Sequence, residues 1–495
     1  MNYVEEGRKN MLFNSYSFVL LFLPITLIGY YLLNAKEKYK LSELFLLTMS
    51  VIFYGLFDIT CVPIIAISIC VNYLLSQMMI RKHNKWILVT GIGFDVLVLS
   101  YFKYTNFALN NLGKLFQTEI SLLDIVVPVG ISFMTFQQIS YLVDVYRNKE
   151  IKYCFREYAL YAIFFPYVIS GPIVRHNQLI PQLRDESRKR FDGERFSKGI
   201  YAFALGMGKK ILIADTFANV ANVGFANVNN LNTLTALIAI FSYTIQIYFD
   251  FSGYSDMVIG IGYMFNMDMP VNFNSPYKAT NIMDFWKRWH MSLTSFLTEY
   301  VYYPLGGNRK GSIRTYINIF CVFLISGIWH GASWGFIAWG ILHGLAQVFT
   351  RIFKRSIMKM NKIVSWLLLF GFVNFSWIFF RADGLGGAIS FIKALLNFNI
   401  ETLNAYMFPE MLQAFMLPEV NVLIEVVFRD SNVIRALIMV AVYVAVFVCT
   451  IVAKNTNEKL LVFKPNVRTV VLCSFVLAWC IVSFSGVTSF IYVNF

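Results

Sequence analysis

The chain has 495 residues, of which 57% are hydrophobic and only 14% are charged. Soluble domains usually carry about 25% charged residues, so this composition excludes an ordinary water-soluble protein. The net charge of +14 does not indicate a nucleic-acid-binding protein, because the basic residues lie in short loops and form no continuous basic surface.

Apolar runs long enough to cross a bilayer recur along the chain, each near the ~20 residues that a ~30 Å hydrocarbon core requires. We predict an all-α polytopic protein with a single membrane domain over 11–495, preceded by a polar extension at 1–10. The predicted spans, roughly twelve in number, lie near 12–33, 41–57, 62–80, 86–103, 125–146, 199–220, 234–250, 313–328, 334–350, 363–380, 434–453 and 467–484.

Two further apolar runs, at 157–173 and 253–268, are shorter or interrupted by Gly and Pro. Such runs favour re-entrant or buried segments that line a cavity. The first overlaps FFPYVISGPIVRH at 164–176, where Pro166, Gly171 and Pro172 break the apolar run just before Arg175. This arginine either guides an anionic donor or ends the segment at the membrane surface, and the spacing does not choose between the two.

Four loops, near 36–40, 81–85, 184–195 and 351–362, are rich in Lys and Arg. The predicted spans place all four on one side of the membrane. Because basic loops resist export, we expect that side to be the cytoplasm and both termini to lie outside. The acidic connection near 401–432 then also faces outward.

Two aspartates, Asp250 and Asp256, lie at or near the end of an apolar run. An ionisable group at membrane depth is a functional candidate, because its desolvation is costly. The alternative is a pair of helix-end carboxylates that are satisfied by nearby Tyr, Ser or backbone groups.

Apolar residues recur at three- and four-residue steps over 285–297, while Lys287 and Arg288 fall on another face. This pattern predicts an amphipathic helix at the cytoplasmic interface, where rings such as that of Trp286 suit the headgroup region. We expect His290, on the apolar face, to point into protein or a water-filled path, although a lone histidine is more often a satisfied structural group.

Glycines and small residues surround His330 in SGIWHGASWGFIAWGILHG at 326–344. Small residues permit close helix approach and leave room for a substrate beside the imidazole. Histidine is well suited to general-base catalysis near neutral pH, which makes His330 the first candidate and His343 a weaker one. The dispersed histidines form no acidic–histidine cluster typical of a metal site, and the cysteines show no zinc-like spacing.

Six ordered segments together resemble the membrane-bound O-acyltransferase family, and specifically its bacterial alginate O-acetyltransferase branch. The segments are MLFNSYSFVLLFLPI at 11–25, FFPYVISGPIVR at 164–175, FDFSGYSDMVIGIG at 249–262, DFWKRWHMSLTSFLTEYVYYPLGGNR at 284–309, SGIWHGASWGFIAWGILHG at 326–344 and WIFFRAD at 377–383. The resemblance covers nearly the whole chain from Met11. Because the family usually starts at M-x-F, both Met1 and Met11 stay candidate initiators.

The resemblance implies about 11–12 transmembrane helices, with re-entrant and interfacial helices, around a thin central tunnel between a cytoplasmic entrance and an extracellular funnel. It implies that His330, in the W-H-G motif, is the essential residue and that His290, in the R-W-H motif, has a supporting catalytic or donor-path role. His290, Trp329 or backbone N–H groups near Gly331 are then candidates for stabilising the oxyanion.

The implied reaction is acetyl transfer from a cytoplasmic thioester, acetyl-CoA or an acyl carrier protein, for O-acetylation of an extracellular or cell-wall polysaccharide. The resemblance further implies a location in the bacterial cell membrane, an extracellular acetyltransferase partner protein, and no bound cofactor. Peptidoglycan is an alternative acceptor, and D-alanyl transfer to teichoic acid is an alternative reaction that would share both histidines. A transporter is disfavoured, because the sequence shows no inverted repeat or paired half-helices.

Overall fold

The computed structural model of the chain describes residues 11–398, 407–428, 431–486 and 490–491. Within these residues the regular secondary structure is helical, and no strand is present. The predicted polar extension at 1–10 lies outside the described residues, as do 401–406 and 429–430 of the acidic connection.

The α-helices of the described residues are α1 (Leu23–Ala35), α2 (Tyr39–Phe57), α3 (Val62–Arg81), α4 (Lys85–Phe116), α5 (Ile131–Arg147), α6 (Phe155–Ile163), α7 (His176–Arg184), α8 (Gly193–Gly208), α9 (Asp215–Ala226), α10 (Thr233–Met264), α11 (Ile282–Arg288), α12 (Met291–Leu297), α13 (Gly311–His330), α14 (Trp334–Ile352), α15 (Lys354–Lys359), α16 (Lys362–Arg381), α17 (Gly384–Leu395), α18 (Met407–Phe415), α19 (Pro418–Phe428), α20 (Asn432–Val452), α21 (Thr456–Leu461) and α22 (Val467–Val482). Segments with π-helical hydrogen bonding lie at Phe18–Phe22, Lys209–Ala214 and Thr298–Tyr302. Short 3₁₀ turns lie at Ile59–Cys61, Glu186–Lys189, Val228–Asn230, Pro276–Lys278 and Ser483–Gly486.

In the part of the chain that the structure describes, eight helices are long and apolar enough to cross a bilayer, and a ninth span results if the bent pair α18 and α19 counts as one. The eight are Phe18–Ala35, Tyr39–Phe57, Ile59–Arg81, Lys85–Phe116, Thr233–Met264, Gly311–His330, Lys362–Arg381 and Asn432–Val452. The other predicted spans also coincide with helices, namely α5, α8, α14 and α22. The prediction of an all-α, multi-pass membrane protein is confirmed.

The two interrupted apolar runs have different structures. The run at 157–173 breaks as predicted, because α6 ends at Ile163 and the chain continues without an α-helix to α7. The run at 253–268 is not re-entrant, because α10 continues unbroken to Met264. The glycines of this run serve helix packing and do not interrupt the helix.

The contact between α8 and α10 lies at the centre of the fold, where α10 is largely buried. Glycines spaced by seven residues meet across this contact. A Cβ at Gly206 would lie 2.6 Å from the carbonyl oxygen of Gly253, and a Cβ at Gly199 would lie 2.6 Å from that of Gly260. The two backbones therefore touch at these positions, as small residues allow in membrane helices.

Replacing Gly206 by Ala should lower the midpoint of thermal unfolding of the detergent-solubilised protein. The added methyl group would collide with the Gly253 backbone, and overpacking of this kind costs about 1–3 kcal/mol. Gly371→Ala is the matched control, because a Cβ at Gly371 would meet no atom within 4 Å. Equal midpoints for the two variants would contradict this close contact.

Candidate active site

His290 lies at a break between two short helices. Helix α11 ends at Arg288, α12 begins at Met291, and the backbone of His290 is left-handed, with φ of 45°. Backbone hydrogen bonds to the segment at 272–274 hold the break: the Met291 amide donates to the Asn272 carbonyl at 3.0 Å, and the Asn274 amide donates to the Arg288 carbonyl at 2.9 Å. The predicted continuous helix over 285–297 is therefore wrong, because tertiary hydrogen bonds replace helical ones at this point.

The break directs the His290 side chain into the protein. His290 is 0% exposed, and its ring centroid lies 4.7 Å from that of Phe251 and 6.4 Å from that of Trp329. Trp286 is also buried, and its indole N–H donates to Nδ1 of His343 at 3.2 Å. The Trp286 side chain therefore packs within the protein and does not face lipid.

His330 is the last residue of α13, and Gly331 continues in extended conformation. A Cβ at Gly331 would overlap the ring of Phe336, so the glycine allows this ring to pack directly against the backbone. The ring centroid of His330 lies 5.1 Å from those of both Trp339 and Phe380. The W-H-G motif thus ends the helix and packs the imidazole among aromatic rings.

Three histidines from separate parts of the sequence share one aromatic cluster. The ring of Trp329 lies 6.4 Å from that of His290 and 5.0 Å from that of His330. The ring of Trp339 lies 5.1 Å from that of His330 and 4.6 Å from that of His343. The structure therefore brings together the three histidines that the sequence analysis selected.

The hydrogen bonds of His343 indicate that its imidazole has a structural role. Its Nδ1 accepts from the Trp286 indole, and its Nε2 lies 3.0 Å from the hydroxyl of Ser376. An imidazole that accepts at Nδ1 is neutral and carries its proton on Nε2, so Nε2 donates to Ser376. Since the lone pair of His343 is already used, His343 remains the weaker candidate for a base.

Lys103 of α4 is a site residue that the sequence analysis missed. Its ammonium donates to the carbonyl of Trp329 at 2.6 Å and to that of His330 at 3.1 Å. The last carbonyls of a helix have no partner within it, and the helix dipole favours a cation at this end. Tyr104 adds a third bond, from its hydroxyl to the Ile328 carbonyl at 2.7 Å. Helix α4 therefore positions the end of α13 that carries His330.

The sequence does contain a signal that indicates a functional role for Lys103. The predicted span over 86–103 stopped at Lys103, whereas α4 continues to Phe116 and places the lysine well inside a membrane helix. An intramembrane lysine is a functional candidate by default, since only a protein partner makes its burial tolerable.

A cavity of about 710 Å³ lies between α11, α13, α14 and α16. Trp286 and Ser326 line it, and Ser326 is one helical turn before His330 on the same face of α13. Four basic residues also line the cavity and are exposed: Lys287, Arg351, Lys354 and Lys362. The cavity therefore connects a basic surface with the vicinity of the histidine cluster.

Asp250 and Asp256 lie within α10 and accept hydrogen bonds from the π-helical segment Lys209–Ala214. Lys210 donates to Asp250 and to Asp215, at 2.7 Å each, and Lys209 donates to Asp256 at 2.6 Å. The carboxylates are thus neither at a helix end nor satisfied only by Tyr, Ser or backbone groups. These ion pairs join α10 to the π-helical segment that connects α8 and α9.

Arg175 forms an ion pair with Glu299 and donates to the Ser295 hydroxyl at 2.8 Å. Its guanidinium also lies 5.3 Å from the ring centroid of Tyr300. The broken segment therefore ends on the segment Thr298–Tyr302, which lines the cavity at Thr298 and Tyr302. Arg175 is fixed by protein contacts beside the cavity.

Among the described residues, no group of three or more His, Cys, Asp or Glu is placed to hold a metal ion.

Comparison with known proteins places these residues in a family context. The family model of the membrane-bound O-acyltransferases matches residues 151–385, which include His290, His330 and His343. The chain is 39% identical over 423 residues to the peptidoglycan O-acetyltransferase of Helicobacter pylori, a match that covers 79% of this chain and 80% of that protein. It is 36% identical over 400 residues to the probable alginate O-acetylase AlgI of Pseudomonas aeruginosa, with coverage of 78% and 75%. A teichoic acid D-alanyltransferase of Bacillus subtilis is 27% identical over 248 residues, with coverage of 48% and 62%.

Lys103→Met should lower the turnover number of acetyl transfer about 100-fold, because displacing a reacting group by ~1 Å can cost this much. The loss should be in kcat and not in KM, since Lys103 contacts the last carbonyls of α13 and does not line the cavity of about 710 Å³. Lys114→Met, at an exposed position of the same helix, is the matched control and should behave like the wild type. A variant with normal kcat, or with kcat lost only in proportion to folded protein, would contradict the positioning role.

Proposed function

The chain belongs to the membrane-bound O-acyltransferase family, and from this premise we propose that it moves an acetyl group from a cytoplasmic thioester towards a polysaccharide outside the cell, with His330 as general base. The relatives and the apolar helices identify the protein as a multi-pass membrane O-acyltransferase for polysaccharide or peptidoglycan O-acetylation. The proposed donor and direction of transfer are supported by one observation: a cavity with basic residues at its surface reaches Ser326, one turn before His330.

The proposed chemistry requires a base, because a free hydroxyl is a poor nucleophile at neutral pH. In the proposed step, the imidazole of His330 takes the proton of the acceptor hydroxyl while the hydroxyl oxygen attacks the thioester carbonyl. The C–S bond breaks, the acetyl group remains on oxygen as an ester, and the thiolate takes up the proton from the imidazolium. The acceptor is either the glycan hydroxyl or a group on the partner protein that finishes the transfer.

The developing oxyanion needs hydrogen-bond donors fixed in advance. The indole N–H of Trp329 already donates to the Ser132 carbonyl at 3.2 Å, so we assign this role to His290 and to the backbone N–H of Gly331. The left-handed break at His290 supports the assignment, because strained backbone of this kind is concentrated at functional sites.

The charge of the cavity supports a donor that carries phosphate. Asp284 is the one acidic side chain among the described residues that line it, and Asp284 accepts from Arg288 at 3.0 Å. The four basic residues of the cavity are therefore not matched by lining carboxylates. Acetyl-CoA and an acyl carrier protein both present phosphate next to a thioester arm, so both fit this proposal. Three of the four basic residues belong to the loop near 351–362, which is predicted to be cytoplasmic.

We further propose a bacterial cell-membrane location and an extracellular acetyltransferase partner that completes transfer to the glycan. The names of the two more similar relatives, a peptidoglycan O-acetyltransferase and a probable alginate O-acetylase, support glycan O-acetylation. D-alanyl transfer to teichoic acid has weaker support, since that relative aligns with only 48% of this chain at 27% identity.

His330→Ala should abolish acetyl esters on the secreted and cell-wall glycans of cells that depend on this protein. Loss of a general base alone costs about 100- to 10,000-fold in rate. Ester content is measured by mild alkaline release at matched membrane abundance. The control is His83→Ala, which removes an exposed histidine stacked on Tyr146 with ring centroids 4.5 Å apart. Normal ester content in His330→Ala would remove this residue from the mechanism, and loss of D-alanyl esters instead would replace the proposed reaction.

Replacing both Arg351 and Lys354 by Gln should raise the KM for the donor roughly fivefold, since exposed ion pairs contribute modestly and are screened by salt. The difference from wild type should shrink as ionic strength rises. Arg355→Gln is the control, because Arg355 adjoins Lys354 and is exposed but does not line the cavity. An equal rise in KM for Arg355→Gln would indicate general surface charge in place of a donor site.

A further inference from the structure

A second cavity, of about 320 Å³, lies between α8, α10, α20, α21 and α22. It shares no lining residue with the cavity of about 710 Å³. Neither the proposed reaction nor the family comparison uses it.

The polar side of this cavity is cationic. Lys209, Lys454 and Lys459 line it, and none of its described lining residues is acidic. Asp256, which lies beside the cavity, accepts from Lys209 at 2.6 Å and from the Thr456 hydroxyl at 2.5 Å. One of the three ammonium charges is therefore balanced, and two are not balanced by a lining carboxylate.

The closest acid in sequence, Glu458, does not line the cavity; its carboxylate accepts from the Asn455 backbone amide at 2.9 Å and caps α21. Burial, and then the nearby charge of Lys209, lower the pKa of the Lys459 ammonium. Crowded cations of this kind would be stabilised by an anion placed between them.

The other side of the cavity is apolar. Leu205 of α8, Leu212 and Ile213 of the π-helical segment and Val476 of α22 line it, together with the rings of Tyr248 and Phe249. Helices α20 and α22 expose apolar side chains over most of their length, as helices that border lipid do. A ligand here therefore meets lysines at one end and a hydrocarbon-like wall at the other.

The position along the chain matches the cytoplasmic headgroup level. The connection from α20 to α22 carries Lys454, Lys459 and Lys464 against the single acid Glu458, and Arg468 follows in the first turn of α22. Basic residues beside the end of a transmembrane helix are retained on the cytoplasmic side and attract anionic lipid.

We propose that this cavity binds an anionic phospholipid, with its phosphate between Lys209, Lys454 and Lys459 and one acyl chain against Leu205, Leu212 and Val476. The lipid would join α20, α21 and α22 to the paired helices α8 and α10, and so stabilise the membrane domain next to the Lys209–Asp256 ion pair. A zwitterionic lipid would satisfy the two unbalanced lysines less well, because its choline charge opposes them.

Native mass spectrometry of the full-length protein in detergent tests this site by titration with phosphatidylglycerol. Lys454→Gln with Lys459→Gln should weaken phosphatidylglycerol binding about 25-fold, or about fivefold per lysine. The control is Lys36→Gln with Lys38→Gln, which removes the same charge from an exposed basic loop. Equal binding in the two double variants would overturn the proposal.

Thermal unfolding of the wild-type protein gives a second readout that does not depend on any variant folding. Phosphatidylglycerol should raise the unfolding midpoint more than phosphatidylcholine does, and inorganic phosphate should not reproduce the rise. An equal rise with phosphatidylcholine would remove charge as the basis of recognition, and an equal rise with inorganic phosphate would identify a soluble anion as the ligand. Either result would overturn the lipid proposal while leaving the acetyl-transfer proposal untouched.

Discussion

Polar groups that are buried in a membrane domain must find their partners within the protein, because the hydrocarbon offers none. The structure meets this constraint at its centre with the ammonium of Lys210, which lies between Asp215 and Asp250 in a setting where all three are buried. Removing the lysine would leave two buried carboxylates without their cation, which is far more costly than the group is stabilising. The pairing thereby fixes the register of α10 against the π-helical segment and α9.

The same constraint explains the position of the candidate catalytic histidine. Helix α13 stops at His330, so its last carbonyls must be satisfied inside the protein, and Lys103 and Tyr104 supply the donors. A helix that ends where its carbonyls are fixed holds the side chain of its last residue in one direction. His290 follows the same rule, since its strained backbone persists because the segment at 272–274 takes over the lost helical hydrogen bonds.

The all-α membrane architecture, most helix positions and the choice of His290, His330 and His343 as candidate residues could be predicted from the sequence, because apolar period and motif order are local signals. The rest could not, because it depends on pairs of residues distant in sequence. Gly253 and Gly260 read as helix interruptions until the glycines of α8 that they meet are known. The break at His290 depends on Asn272, and the role of Lys103 depends on carbonyls of a helix more than two hundred residues later.

Tryptophan packing connects the proposed donor cavity with the candidate base. Trp286 lines the cavity, its ring lies 5.8 Å from that of Trp339, and Trp339 lies against His330. His343 holds Trp286 from the other side through a hydrogen bond that uses the lone pair of the imidazole. The two histidines therefore have different roles within one cluster. His343 orients Trp286, which lines the cavity, whereas His330 is the last residue of α13. Because close-packed interiors transmit strain, we expect a ligand that displaces Trp286 to displace Trp339 and, through it, the surroundings of His330.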